Sequence, residues 1–192
     1  MISYNEWQPY IWKNEIDLQL RRIFHLYNEM LDDDFNEKHN PMDCLDRAIV
    51  IIAFSIRRMV EKKLITDMLA NEKISVHIYK QNKKMQFRKP YYGHSGESAY
   101  INYDFDKMKT EKFSIRRIAN EIIHSSQFMF VKKDEKIPDG LLIASDKNMQ
   151  SRVIHLTFQE LDNIVQKILN DNITYKLDRW DSETGRIDAT RE

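Results

Sequence analysis

Arg117, Asn120 and His124 are separated by three and four residues. On a helix turning about 100° per residue, that spacing puts the three side chains in one narrow arc. Ile115, Ile118, Ala119, Ile122 and Ile123 define an apolar face on the other side. A guanidinium, an amide and an imidazole on one stripe suit phosphodiester chemistry that needs no metal. An imidazole can take a proton from a ribose 2′-OH or give one to the leaving oxygen. A guanidinium holds phosphate through two donors and stabilises charge as it develops. Asn120 can position a hydroxyl or a phosphate oxygen. The plain alternative is a solvated helix face on which Glu121 pairs with His124.

A second candidate is the run Lys83, Lys84, Arg88, Lys89, Tyr91 and Tyr92, followed by His94. Cations interleaved with aromatics suit phosphate contacts and base stacking, and a nucleic-acid-binding loop is one reading. A solvated loop with packing tyrosines is the other. Glu121-x-x-His124 resembles half of a di-iron carboxylate site, for which His25 and Glu29 would have to stand in as the other half. A second Glu-x-x-His pair is missing, so neither a metal nor any other cofactor is expected. Arg57 and Glu61 are spaced for an ion pair within a helix, and His155 reads as structural. Trp7 and Trp12 read as packing or dimer contacts. The glycines assemble no phosphate loop, and no nucleophile-elbow serine is present.

The 192 residues carry 30 Lys+Arg against 30 Asp+Glu, 42% hydrophobic residues and a single cysteine, Cys44. A disordered chain, a disulfide scaffold and a cysteine zinc site are excluded by those numbers. Zero net charge argues against a general polycationic nucleic-acid binder. The charges are nevertheless uneven: Lys80 to Lys89 is basic, while Asp32 to Glu37 and Asp178 to Glu192 lean acidic. The longest apolar run, Ala48 to Phe54, is far shorter than the roughly 20 residues needed to span a bilayer. Met1 to Trp7 shows no secretory pattern, so a cytoplasmic setting without membrane contact is expected.

The elements that must position these residues follow from periodicity. A helix is expected over 8–32, and a second over 41–70 after the Asn40-Pro41 start signal, apolar on nearly every side between Ala48 and Phe54, as a buried central helix would be, and amphipathic again at Arg57 to Glu61. Ile74 to Tyr79 alternates like a strand. A third helix covers 114–125. Strands are expected over 128–131, 140–144 and 152–157, and a fourth helix follows the capping box at Thr157 to Glu160. The sum is a mainly α four-helix bundle with a small β element between the third and fourth helices. Residues 1–180 would form one helical domain with inserted segments at 71–110 and 128–157. Residues 181–192 would be a frayed polar tail. Phe-Ser-Ile-Arg-Arg occurs at both 54–58 and 113–117.

Arg117-x(6)-His124 near the end of a helix in such a bundle resembles the Arg-x(4–6)-His motif of the HEPN superfamily. That resemblance implies a metal-independent endoribonuclease or a degenerate RNA-binding homologue, of the kind found in toxin–antitoxin and phage-defence systems. It implies a homodimer with two motifs facing one cleft. Arg117 would sit on the phosphate, His124 would transfer the proton and Asn120 would support them. RNA and a protein partner or antitoxin would be the partners. The chain departs from the motif at Ile118, where the family usually has a polar residue. The competing reading is a non-enzymatic helical interaction or regulatory subunit.

Overall fold

The computed structural model describes residues 8–31, 41–84, 86–88, 101–131 and 139–192. Among these residues the fold is mixed: five helices, a five-stranded antiparallel sheet and a two-stranded sheet. This corrects the mainly α four-helix bundle and, with it, the HEPN resemblance. The strand segments are not a small insertion between helices; they hydrogen-bond to one another as a full layer. An Arg-x(6)-His spacing is a local property of one helix and carries no information about that layer. Among the described residues, no helix is long and apolar enough to cross a membrane.

The chain divides into two compact units, residues 1–72 with 164–192, and residues 73–163. In the first unit α1 (Pro9–Leu31) packs on α2 (Pro41–Glu61). Ile16, Leu20 and Ile23 meet a core that includes Leu45, Ile49, Ile52 and Met59. The second helix is not buried all round: Val50 and Phe54 are exposed, so its apolar run serves one face. It also stops before residue 70. Lys63 adopts φ 54°, Lys63 N–H bonds Val60 O at 3.2 Å and Leu64 N–H bonds Met59 O at 2.8 Å. That is a Schellman ending with lysine where glycine is usual, which hides it from a sequence reading.

The short α3 (Asp67–Asn71) follows, with Thr66 as its N-cap. In the same unit, β6 (Lys176–Asp181) and β7 (Arg186–Arg191) form a hairpin, so the segment after Asp181 is a turn and a paired strand and not a frayed tail. Arg191 ties it to α3: its main-chain N–H donates to Asp67 Oδ2 at 2.9 Å. Lys63 Nζ donates to the other carboxylate oxygen at 2.6 Å. The Lys63 hydrogen bond holds the Asp67 carboxyl below the usual aspartate range; burial opposes this, and the Arg191 bond and both cations reinforce it. A carboxyl depressed in the folded state stabilises above its unfolded pKa, and the gain is lost as pH falls through the folded value. Asp67→Asn is therefore expected to melt below wild type at neutral pH, with the gap closing as pH drops below the ordinary aspartate range. Melts followed by circular dichroism across pH check this; a gap that persists unchanged into acid would refute the coupling.

The second unit is built on a sheet in the order β2-β1-β5-β4-β3, every neighbour antiparallel. Its strands are β1 (Lys73–Lys80), β2 (Lys109–Ser114), β3 (Ser125–Val131), β4 (Gly140–Ser145) and β5 (Arg152–Thr157). Interior strand β4 is buried along its whole length, in keeping with its apolar run Leu141 to Ala144. Edge strand β2 is mostly exposed. Between β2 and β3 lies α4 (Ile115–Ile123), with Ile115, Ile118, Ala119 and Ile122 buried. The last helix, α5 (Phe158–Asn170), starts with the expected capping box: Glu160 N–H donates to Thr157 Oγ1 at 3.0 Å and Thr157 N–H to Glu160 Oε2 at 2.8 Å.

Candidate functional site

Ser114 starts α4 by accepting the Arg117 N–H at 3.3 Å. Three of the helix's four buried apolar residues are isoleucines, and burying that stripe fixes its rotation. The opposite arc then carries Arg117, Asn120 and His124, as the spacing requires. The helix ends earlier than the sequence suggests, at Ile123. His124 is the C-cap, with φ −105° and ψ 22°, and its N–H still reaches Asn120 O at 3.1 Å. Immediately beyond, the β3–β4 register shifts between Ser125 and Gln127, making Ser126 the extra residue of a bulge.

Arg117, Asn120 and His124 line one cleft of about 360 Å³ with Glu121, Ser145, Asp146, Lys147 and Asn148. Arg117 is exposed, and its Cζ lies 3.8 Å from the Phe113 ring centroid. The aromatic plate holds the guanidinium by cation–π attraction without consuming its N–H donors. Among the described residues, no carboxylate pairs with it. Lys147 adds a second exposed cation. Asn120 Oδ1 is buried and accepts no hydrogen bond from the described residues. Burying such an acceptor unpaired costs about 1–3 kcal/mol, so the amide stays at the cleft at an energetic disadvantage.

Glu121 does not belong to a solvated face. It is buried, and its carboxylate accepts from Ser145 N–H at 3.2 Å, Asn148 Nδ2 at 2.6 Å and Arg152 Nη2 at 3.1 Å. These bonds fix the turn after β4 that carries Asp146 and Lys147. Arg152 also stands 4.7 Å from the Phe113 ring centroid and 3.6 Å from Glu111. Burial pushes its guanidinium below its usual pKa, against the raising effect of Glu121; Arg117 lowers it further and Glu111 raises it. A sequence reading misses Arg152, Phe113 and the 145–148 turn because they lie on other elements. The one signal pointing to the turn is the polar Asp146-Lys147-Asn148 directly after a fully apolar strand.

Of the basic loop, the described residues Lys83, Lys84 and Arg88 do not line this cleft. Lys83 and Lys84 occupy an exposed turn after β1. The Arg88 backbone is clamped by the buried Asn102, whose Oδ1 accepts the Arg88 N–H at 2.8 Å and whose Nδ2 donates to Arg88 O at 2.6 Å. Lys89, Tyr91 and Tyr92 lie outside the described residues. The Arg57–Glu61 pair is formed at 2.8 Å and the His25–Glu29 contact at 3.2 Å, each within its own helix. His155 is fully buried opposite His77 in the sheet. Among the described residues, no three His, Cys, Asp or Glu side chains gather as a metal-ligand set. Compared with family models, with curated proteins and with solved structures, the chain matches none of them.

Proposed function

We propose that the α4 cleft binds RNA and cleaves its phosphodiester backbone without a metal. One observation supports this above the rest: Arg117, Asn120 and His124 line a single cleft, with the Arg117 guanidinium laid on Phe113 and its donors turned to no carboxylate among the described residues. A guanidinium so held clamps a phosphate and stabilises the charge that builds on it. Lys147 supplies further attraction for the backbone. His124 transfers the proton and Asn120 positions the sugar or phosphate.

The purified protein is expected to cleave a mixed single-stranded RNA pool in the presence of EDTA. Arg117→Ala and His124→Ala should each lower that rate by about 100-fold or more, with unchanged circular dichroism and melting temperature. RNA left intact by wild type sinks the catalytic reading. RNA bound but uncut would make the cleft a binding site only.

A further inference from the structure

Cleavage by 2′-OH attack needs two proton transfers: one away from the attacking hydroxyl, one to the leaving 5′ oxygen. Of Arg117, Asn120 and His124, only His124 can exchange a proton under ordinary conditions. The same cleft holds two carboxylates, Glu121 and Asp146. Glu121 is buried and engaged by Ser145, Asn148 and Arg152. Asp146 is exposed, on the turn directly after β4. Its main-chain N–H donates to the His124 carbonyl oxygen at 3.2 Å, which joins the turn to the helix C-cap through the backbone. Its Oδ1 accepts the hydroxyl hydrogen bond of Ser126, the bulged residue. One carboxylate oxygen is thus anchored, and the group is oriented at the cleft.

We propose that Asp146 is the second proton-transfer group of this site, an inference that rests on the RNA-cleavage reading. Asp146 accepts the proton of the 2′-OH. The 2′ oxygen bonds to phosphorus as the bond from phosphorus to the 5′ oxygen breaks, and protonated His124 gives its proton to that oxygen. The products are a 2′,3′-cyclic phosphate and a free 5′-OH, with Asp146 left protonated and His124 neutral. Exchange with water resets both. Among the described residues, the charged groups lining the cleft with the pair are Arg117 and Glu121 from α4 and Lys147 from the turn, with Arg152 from β5 held behind them on Glu121.

Such a pair gives a bell-shaped pH–rate profile, its acidic limb set by Asp146 and its alkaline limb by His124. The test compares profiles for wild type, Asp146→Asn and Asp146→Glu on one single-stranded RNA oligonucleotide in EDTA. Asp146→Asn keeps an acceptor for Ser126 but cannot take the proton. It should lose about 100-fold in rate and lose the acidic limb, with its melting temperature unchanged. Asp146→Glu should restore the limb and part of the rate. An Asp146→Asn enzyme with the wild-type rate or an intact acidic limb overturns the role of Asp146 and leaves the cleavage reading standing. A wild type that cuts no RNA overturns the cleavage reading and Asp146 with it.

Discussion

Gly140→Ala is expected to remove about 3–5 kcal/mol of unfolding free energy, combining backbone strain with overpacking. Gly140 opens β4 at φ 150°, where an L side chain is strained. A Cβ built there would stand 2.4 Å from Leu156 O and 2.7 Å from Thr157 Cα. Both obstacles are backbone of β5, so relief means prising apart the β4–β5 ladder where Gly140 pairs with Thr157. Thr157 is also the residue whose hydroxyl caps α5, so the same displacement would loosen a helix start. With total stabilities of about 5–15 kcal/mol, this is enough to leave a large unfolded fraction. Gly185→Ala is the matched control: φ is 64° there, but nothing lies within 4 Å. It should cost only the left-handed strain, about 1–2 kcal/mol. Urea unfolding of both variants decides it; a Gly140→Ala protein within about 1 kcal/mol of wild type would show that the strands yield without cost.

Local signals in the sequence found the elements they govern. The isoleucine stripe of α4, the apolar run of β4 and the capping box before α5 each depend on residues a few positions apart, and each stands where its pattern puts it. Pairing is not local. Joining β1 to β5 sets His77 beside His155, and nothing within either strand names the other. Edge strand β2 carries a weaker signal still, because Lys109, Thr110 and Lys112 face solvent and only Phe113 gives it a buried anchor. Without β2, and without the pairing of the other four strands, the sequence pattern supports only a small β element beside four helices.

The repeated Phe-Ser-Ile-Arg-Arg shows how far context overrides a short sequence. At 54–58 all five residues are helical, Phe54 is exposed, and Ser55 donates back to Ile51 O at 2.8 Å. At 113–117 the same five residues cross from strand to helix, Phe113 is buried, and Ser114 caps α4. Within the site the same division holds. The arc of Arg117, Asn120 and His124 follows from helix geometry alone, whereas the ring beneath Arg117 and the turn facing it come from strands brought up by the sheet.

Glu121→Ala carries the other large effect, because it acts on fold and cleft together. The carboxylate holds Arg152, whose side chain is 11% exposed, and removing one partner of a buried ion pair costs about 3–5 kcal/mol. Among the described residues, Arg152 would keep only Glu111, at 3.6 Å, and the Phe113 ring. The Ser145 N–H would lose its acceptor in a buried strand end, and Asn148 would lose its contact at 2.6 Å. Lost contacts alone would predict that removing Arg152 as well makes matters worse. An uncompensated charge predicts the reverse: Glu121→Ala combined with Arg152→Met should be more stable than Glu121→Ala alone by about 1–3 kcal/mol. Chemical denaturation of the two single variants and the double variant completes that cycle; a double variant no more stable than Glu121→Ala would mean that Arg152 is solvated well enough without Glu121. The turn carrying Asp146 and Lys147 loses its Glu121 anchors at Ser145 and Asn148 in either background and is held by fewer bonds, chiefly that of Asp146 N–H to His124 O. RNA cleavage should therefore stay low in the double variant even where stability returns, which separates the carboxylate's part in holding the charge from its part in holding the cleft.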